Sequence, residues 1–291
     1  MTADDRIDEA LEQLHATSDE YQGGLTNHGP MVVEALSRMG RADEVPGWVR
    51  AYARSLEPFE GPAVPPVEGD WREAVREELT SLVVGSAGAA GHGVIRTAHA
   101  AALLEEADTP VRRQELARAL AYWRRNVEVV EAGPALVGAS TGRAALLGLS
   151  GRERPPGGRP GFISDHLRSL GPIPTCPGAG IDEIVSTAAT VLAGTRASAT
   201  IPLVHAVTTP AALAVLEPYL PPGVAAAQAW LVAAALVSAY GDVTVAAHAE
   251  GDEDSETAVG LAVESRDEHA IKLAATGVRP AIVAEVARRL R

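Results

Sequence analysis

Val224-Ala-Ala-Ala-Gln-Ala-Trp-Leu-Val-Ala-Ala-Ala-Leu-Val-Ser-Ala-Tyr240 contains no charged residue. A helix over 222 to 240 is therefore apolar on nearly every side and must lie either in a membrane or at the centre of a packed helical core. Alanine dominates the run and Gln228 interrupts it, which favours the buried core helix over a span.

The surrounding chain has the same character. Helices are predicted at 181 to 195, 200 to 207 and 210 to 218, the last opened by Thr209-Pro210 as cap and first residue. Toward the N-terminus, Ile7, Leu11 and Leu14 set a first helix over 4 to 16. A second begins near Pro30 after Asn27-His28, and a short third surrounds Trp48 and Tyr52. Residues 71 to 83 and 93 to 106 read as helices across a glycine-rich Gly85 to Gly93. Leu116, Leu120, Trp123, Val127 and Val130 step by helical intervals, and a last helix spans 278 to 290. Three proline- and glycine-rich loops are expected, at Glu57 to Asp70, Gly151 to Gly161 and Pro172 to Gly180. Only Asp242 to Ala247 alternates like a strand, and acidic Glu250 to Glu256 reads as a solvated turn before one more helix. The expected class is all-α, one large helical domain over 1 to 291. A histidine-bearing helix followed by a tryptophan-bearing one occurs as His92 with Trp123 and again as His205 with Trp230, the pattern of two related halves.

Composition narrows the partners. Hydrophobic residues make up 46 % of the chain and the formal charge is -13, which repels a phosphate backbone, so nucleic acid is not an expected partner. Cys176 is the only cysteine, which excludes intrachain disulfides and cysteine-based zinc or iron-sulfur sites. The acidic start, Met1-Thr-Ala-Asp-Asp-Arg6, is no secretion signal, and the expected location is the cytoplasm, with no membrane association. Oligomeric state is not legible.

The stretch Asp267-Glu268-His269-Ala270-Ile271-Lys272 sets an imidazole and an amine three residues apart on one helical face. Ser265 and Glu268 fit a reciprocal capping pattern and Gly277 a stop, giving a helix over 265 to 276. Glu268 and Lys272, four apart, equally describe an ordinary surface ion pair. Three further histidines, His28, His92 and His205, sit beside small or apolar residues near helix ends, where a histidine is commonly a satisfied core residue. His15, His166 and His248 are expected at the surface or in structural roles.

The runs Leu25-Thr-Asn-His-Gly-Pro-Met31, His92-Gly-Val-Ile-Arg-Thr-Ala-His-Ala100, Val204-His-Ala-Val-Thr208 and Asp267-Glu-His-Ala-Ile-Lys272 together resemble the questin oxidase-like family, in order and over nearly the whole chain. The resemblance implies a helical, oxygen-using enzyme that opens an aromatic ring of an anthraquinone-type polyketide, by a Baeyer-Villiger-like or dioxygenase outcome. It further implies a central buried pocket holding non-haem iron(II), with His28, His92, His205, His269 and a carboxylated Lys272 as ligands. Fungal members often carry further histidines after Asn-His, where this chain has Gly29-Pro30-Met31, which leaves the substrate open.

The chemistry is self-consistent. A divalent cation repels an ammonium, so a dry site beside a metal favours the neutral Lys272 amine, which can capture carbon dioxide as a carbamate and supply an anionic oxygen. Thr208, one turn beyond His205, is a candidate to hydrogen-bond the carbamate or a ligand imidazole, or else a helix cap. His99 lies two turns from His92, about 10 Å, too far to share one metal, and is assigned to the pocket wall or a substrate proton. Arg96 is a candidate partner for a phenolate, or a surface salt bridge. Gly138-Ala-Ser-Thr-Gly142 matches a nucleophile elbow through Ser140 but lacks the strand before it that a serine hydrolase needs. Pro177-Gly-Ala-Gly180 and Gly88 to Gly93 lack complete dinucleotide spacing, so no NADPH or flavin site is supported. The remaining alternative is a non-catalytic helical protein that binds a small molecule or metal.

Overall fold

The computed structural model describes residues 2 to 136, 141 to 152, 162 to 242 and 252 to 291. Ser140, most of Gly151 to Gly161, the alternating stretch after Asp242, and His248 lie outside the described residues. In chain order the α-helices are α1 (Ala3–His15), α2 (Gly29–Arg38), α3 (Val45–Tyr52), α4 (Trp71–Leu82), α5 (His92–Glu106), α6 (Pro110–Arg125) and α7 (Gly142–Leu149). There follow α8 (Ile163–Arg168), α9 (Ile181–Gly194), α10 (Thr200–Leu216), α11 (Val224–Tyr240), α12 (Ser255–Ser265), α13 (Glu268–Ala274) and α14 (Pro280–Arg289). Sheet is confined, among the described residues, to two two-stranded pairs. Antiparallel β1 (Glu20–Tyr21) pairs with β2 (Leu25–Thr26), and parallel β3 (Ala132–Ala135) with β4 (Ile173–Thr175). The class is all-α.

Helix α11 lies where its composition sends it, with every residue from Ala229 to Ala239 buried. Each fully buried Leu or Val there contributes about 1.5–3 kcal/mol relative to exposure. Its main partner, α10, also packs on α5, α9 and α13, so α10 is the hub of the core. The helical run Ala197–Tyr219 has the length and hydropathy of a membrane span, but 67 % of its apolar window is buried inside the fold, as a core helix requires. A second apolar cluster joins α1, α2 and α3 through Leu11, Val33 and Val49, with Leu103 and Ile271 closing it.

Several boundaries differ from expectation. Helix α10 runs unbroken through Pro210, so Thr209-Pro210 opens no new helix. Pro210 removes one amide donor and crowds the carbonyl four residues back, at about 3 kcal/mol, yet burial of Val207, Leu213 and Leu216 at about 1.5–3 kcal/mol each outweighs it. Helix α6 stops at Arg125, before Val127 and Val130: Asn126 turns off it, its amide side chain donating to the Tyr122 carbonyl at 3.0 Å and its N–H to that of Trp123 at 2.9 Å. Val127 is left half-exposed at 45 %. The short helices α7 and α8 and both strand pairs were not expected. The two tryptophans of the recurring pattern are buried alike, Trp123 donating to the Gly85 carbonyl and Trp230 to that of Pro174.

Candidate functional site: four imidazoles and a buried amine

The helix carrying the hexapeptide is shorter than 265 to 276. Arg266 takes a left-handed φ of 58° and ends α12, so Ser265 belongs to that helix, and its hydroxyl donates to the Ala262 carbonyl. Asp267 caps α13 instead, its Oδ1 accepting the N–H groups of His269 and Ala270 at 2.8 and 3.2 Å. Glu268, freed from a capping box, reaches across to His28, with Oε1 3.1 Å from Nδ1. It does not pair with Lys272, which is 1 % exposed and makes no hydrogen bond. The expected surface ion pair is absent.

Four helices deliver one histidine each to a single place. His28 precedes the first residue of α2, His92 opens α5, His205 lies within α10 and His269 within α13, all buried. Ring centroids form a closed circuit: His28 to His92 4.7 Å, His92 to His205 4.5 Å, His205 to His269 5.4 Å, His269 to His28 4.8 Å. Tyr52 holds the turn before α2, its hydroxyl accepting the His28 N–H at 2.9 Å. His92 is aimed by three consecutive left-handed residues, Ala89 (φ 46°), Ala90 (φ 59°) and Gly91 (φ 87°). They fold the Ala89 carbonyl back onto His92 Nδ1. A side chain at Gly91 would meet Thr209 Oγ1 at 2.2 Å, and one at Gly93 the Trp123 ring at 2.6 Å. Glycine at 91 and 93 is thus what lets α5 approach α10 and α6.

These contacts fix the tautomers. With Nδ1–H of His28 given to the Glu268 carboxylate and Nδ1–H of His92 to a carbonyl, each ring keeps a bare lone pair on Nε2. Those two Nε2 atoms are 2.6 Å apart. Two lone pairs at that distance repel unless a cation sits beside both. A carboxylate or carbonyl behind the imidazole is also the usual support of a metal-binding histidine. Nδ1 of His205, Nδ1 of His269 and Nζ of Lys272 are buried without hydrogen bonds, although His269 Nδ1 has Asp267 Oδ1 at 3.4 Å and Glu268 Oε1 at 3.9 Å. Burial, then the neighbouring Lys272 charge, holds His28 and His92 far below the ordinary imidazole range. For His205 burial leads, followed by His92 and Lys272. Burial also pulls the Lys272 amine down to about 8, against the opposing pull of Glu268 and Asp267. Buried imidazoles and an amine drawn down to about 8, once it gives up its proton, form a donor set suited to a first-row divalent cation, and these residues fit one. His28, Glu268 and His269 also offer ligand atoms within 4.8 Å of one another, but Glu268 Oε1 is already engaged by the His28 proton.

The four imidazoles line a cavity of about 660 Å³, whose walls include Tyr21, Leu25, Phe162 and Ile201, with Arg125 and Arg168 among its polar residues. Lys272 lines a separate cavity of about 150 Å³ together with His99 and Thr208. His99 is therefore on a pocket wall, but of the smaller cavity, and its Nδ1 is bonded to buried Glu34 rather than offered to a substrate. Thr208 is interior to α10 and caps nothing; its hydroxyl donates to the Val204 carbonyl at 3.0 Å. Arg96 is neither a surface ion pair nor part of the large cavity's lining. It is 1 % exposed, its Nε and Nη2 donate to Glu115 at 2.7 and 3.1 Å, and Nη1 donates to Asp19 at 2.7 Å. His15 is structural, 3.0 Å from Glu115, and His166 bonds Tyr240. Glu268 is the residue that sequence reasoning missed. Its one legible signal was its place beside His269 at the start of a helix.

Comparison with protein-family models, with curated proteins and with solved structures gives no match in any of the three.

Proposed function

We propose that this chain is a cytoplasmic, iron(II)-dependent oxygenase that uses dioxygen to open a ring of a hydroxylated aromatic polyketide of the anthraquinone type. The observation that carries this reading is the closed circuit of the His28, His92, His205 and His269 rings, neighbouring centroids 4.5 to 5.4 Å apart, at the wall of a 660 Å³ cavity, with two bare Nε2 lone pairs 2.6 Å apart. Those four imidazoles and Lys272, carboxylated on its amine, would hold the iron. Bound there, iron(II) supplies the one-electron chemistry that lets dioxygen react with an electron-rich ring.

The chain's own residues do the rest. Glu268 and the Ala89 carbonyl keep the protons of His28 and His92 on Nδ1, so both rings present Nε2. Leu25, Phe162 and Ile201 give a flat ring an apolar surface to lie against. Arg125 and Arg168, 55 % and 60 % exposed, stand where a phenolate can meet positive charge, Arg125 sharing Asp19 and Arg168 sharing Asp165. The lysine carbamate gives neutral imidazoles the anionic partner that a hard cation favours.

Elemental analysis of anaerobically purified protein tests the reading. About one iron per chain is expected in the wild type and little in His205→Ala or Lys272→Ala, and oxygen uptake should appear with hydroxyanthraquinones. Wild-type protein that retains no metal and consumes no oxygen with these compounds would be a helical binding protein instead.

A further inference from the structure

We infer that the 150 Å³ cavity on Lys272 is the port by which carbon dioxide reaches the amine, separate from the large cavity over the imidazoles; this rests on the proposed lysine carbamate.

The two cavities share no lining residue. The larger touches all four imidazoles and not Lys272. The smaller touches Lys272 and none of those imidazoles. Its other walls are mostly small and apolar, including Ala98, Ala102, Ala211, Ala212 and Val215. A cavity of this size admits a molecule as large as benzene, so a linear triatomic passes easily. It also has a way out: Asp182, Val185 and Thr276 belong both to it and to a groove of about 640 Å³ on α9 and around the start of α14.

What such a cavity serves follows from where it stops. A route for dioxygen would be expected to end at the imidazoles, whereas this one ends at a buried amine with no hydrogen-bond partner. The alanine lining disfavours an anion, Asp182 repels one, and Arg38 is already paired with Glu34 at 3.0 Å. A small neutral electrophile that reacts with amines remains, and carbon dioxide meets that description. The neutral Nζ lone pair forms a bond to carbon, one C=O π pair becomes a carboxylate lone pair, and the displaced N–H proton leaves to solvent, with no oxidant or reductant required. A separate port would let the carbamate form or be restored while an aromatic molecule fills the larger cavity.

The test is uptake of ¹³C-labelled carbon dioxide by the full-length chain, followed as a carbamate resonance by NMR in wild type, Ala211→Phe, Ile201→Trp and Lys272→Ala. Ala211→Phe narrows the small cavity and should label about tenfold more slowly than wild type, while Ile201→Trp, in the large cavity, should label at the wild-type rate. Should Ala211→Phe fail to fold, Ala102→Leu is the milder plug, with slowing in the same direction. Equal rates in plugged and wild-type protein, or slowing confined to Ile201→Trp, would overturn the port while leaving the carbamate standing. Wild-type protein that takes up no label, like Lys272→Ala, would remove the carbamate itself and the port with it.

Discussion

Arg96 lies one helical turn from His92 and shares its face in projection, yet its three guanidinium nitrogens are all engaged by Glu115 and Asp19. Asp19 in turn accepts from Arg118 at 2.9 Å and Arg125 at 2.8 Å, so the group is a buried charge network joining the β1 approach to α5 and α6. Removing one member of such a network strands the others away from water. Arg96→Met should lose about 3–5 kcal/mol in urea unfolding, and the folded fraction should keep its metal. Unchanged stability with weaker binding of an aromatic probe would instead return Arg96 to the substrate. Acid should find the same network. Burial alone would raise the Glu115 carboxyl, but Arg96 and the His15 contact more than offset it and hold it at about 2, from 4.5. A depressed carboxylate stabilises above its unfolded value and loses that stabilisation as pH falls through the folded one. Stability should therefore drop by about 3 kcal/mol between about pH 4.5 and about pH 2. Glu115→Gln should flatten that slope while lowering stability at neutral pH. Spacing alone showed that Arg96 neighbours His92, but not that carboxylates from Asp19 and α6 arrive first.

At the scale of elements, what the sequence discloses depends on whether local signals or packing set a boundary. Helix α11 was readable because its alanines and leucines leave no polar face, and α5 because glycine precedes a long apolar run. The course of α10 through Pro210 was not, since burial of Val207 and Leu213 outweighs a local breaker, and the end of α6 turned on one asparagine side chain. The turn Ala89 to Gly91 is the element on which the site's geometry depends most. Two non-glycine residues there accept left-handed backbone, at about 1–2 kcal/mol each, to bring a carbonyl onto His92 Nδ1. Gly91→Ala adds a third such cost and a contact 2.2 Å from Thr209 Oγ1. It should lower the thermal midpoint and reduce metal retention together, because the displaced turn carries His92 with it. Ala90→Gly removes strain and should leave stability unchanged or raise it by up to about 1 kcal/mol, with metal retention preserved. If Gly91→Ala is destabilised yet binds metal like wild type, the turn is structural only.

Over the whole molecule, the candidate site joins residues as far apart in sequence as His28 and Lys272, so no local window could display it. Four short histidine motifs in a fixed order made the imidazoles nameable; that Glu268 would cross to His28, and that Lys272 would face a different cavity from its neighbours, required the packing of α2, α10 and α13. Bringing three neutral histidines and an unpaired amine into a dry centre carries a desolvation cost that hydrophobic burial elsewhere offsets. A cation that binds only the folded arrangement offsets that cost directly, because in the unfolded chain the donors are scattered. Iron(II) at a hundredfold excess over its dissociation constant should stabilise the chain by about 2.7 kcal/mol, visible anaerobically as a thermal midpoint several degrees higher. Chelation should reverse the shift. His205→Ala should abolish it, whereas Arg96→Met, which weakens a network outside the imidazole circuit, should lower both midpoints and leave the difference between them intact. A midpoint indifferent to metal in wild type would mean that the four rings meet as a core cluster without a cation, the 2.6 Å contact being closed by an Nε2–H on one of the two rings.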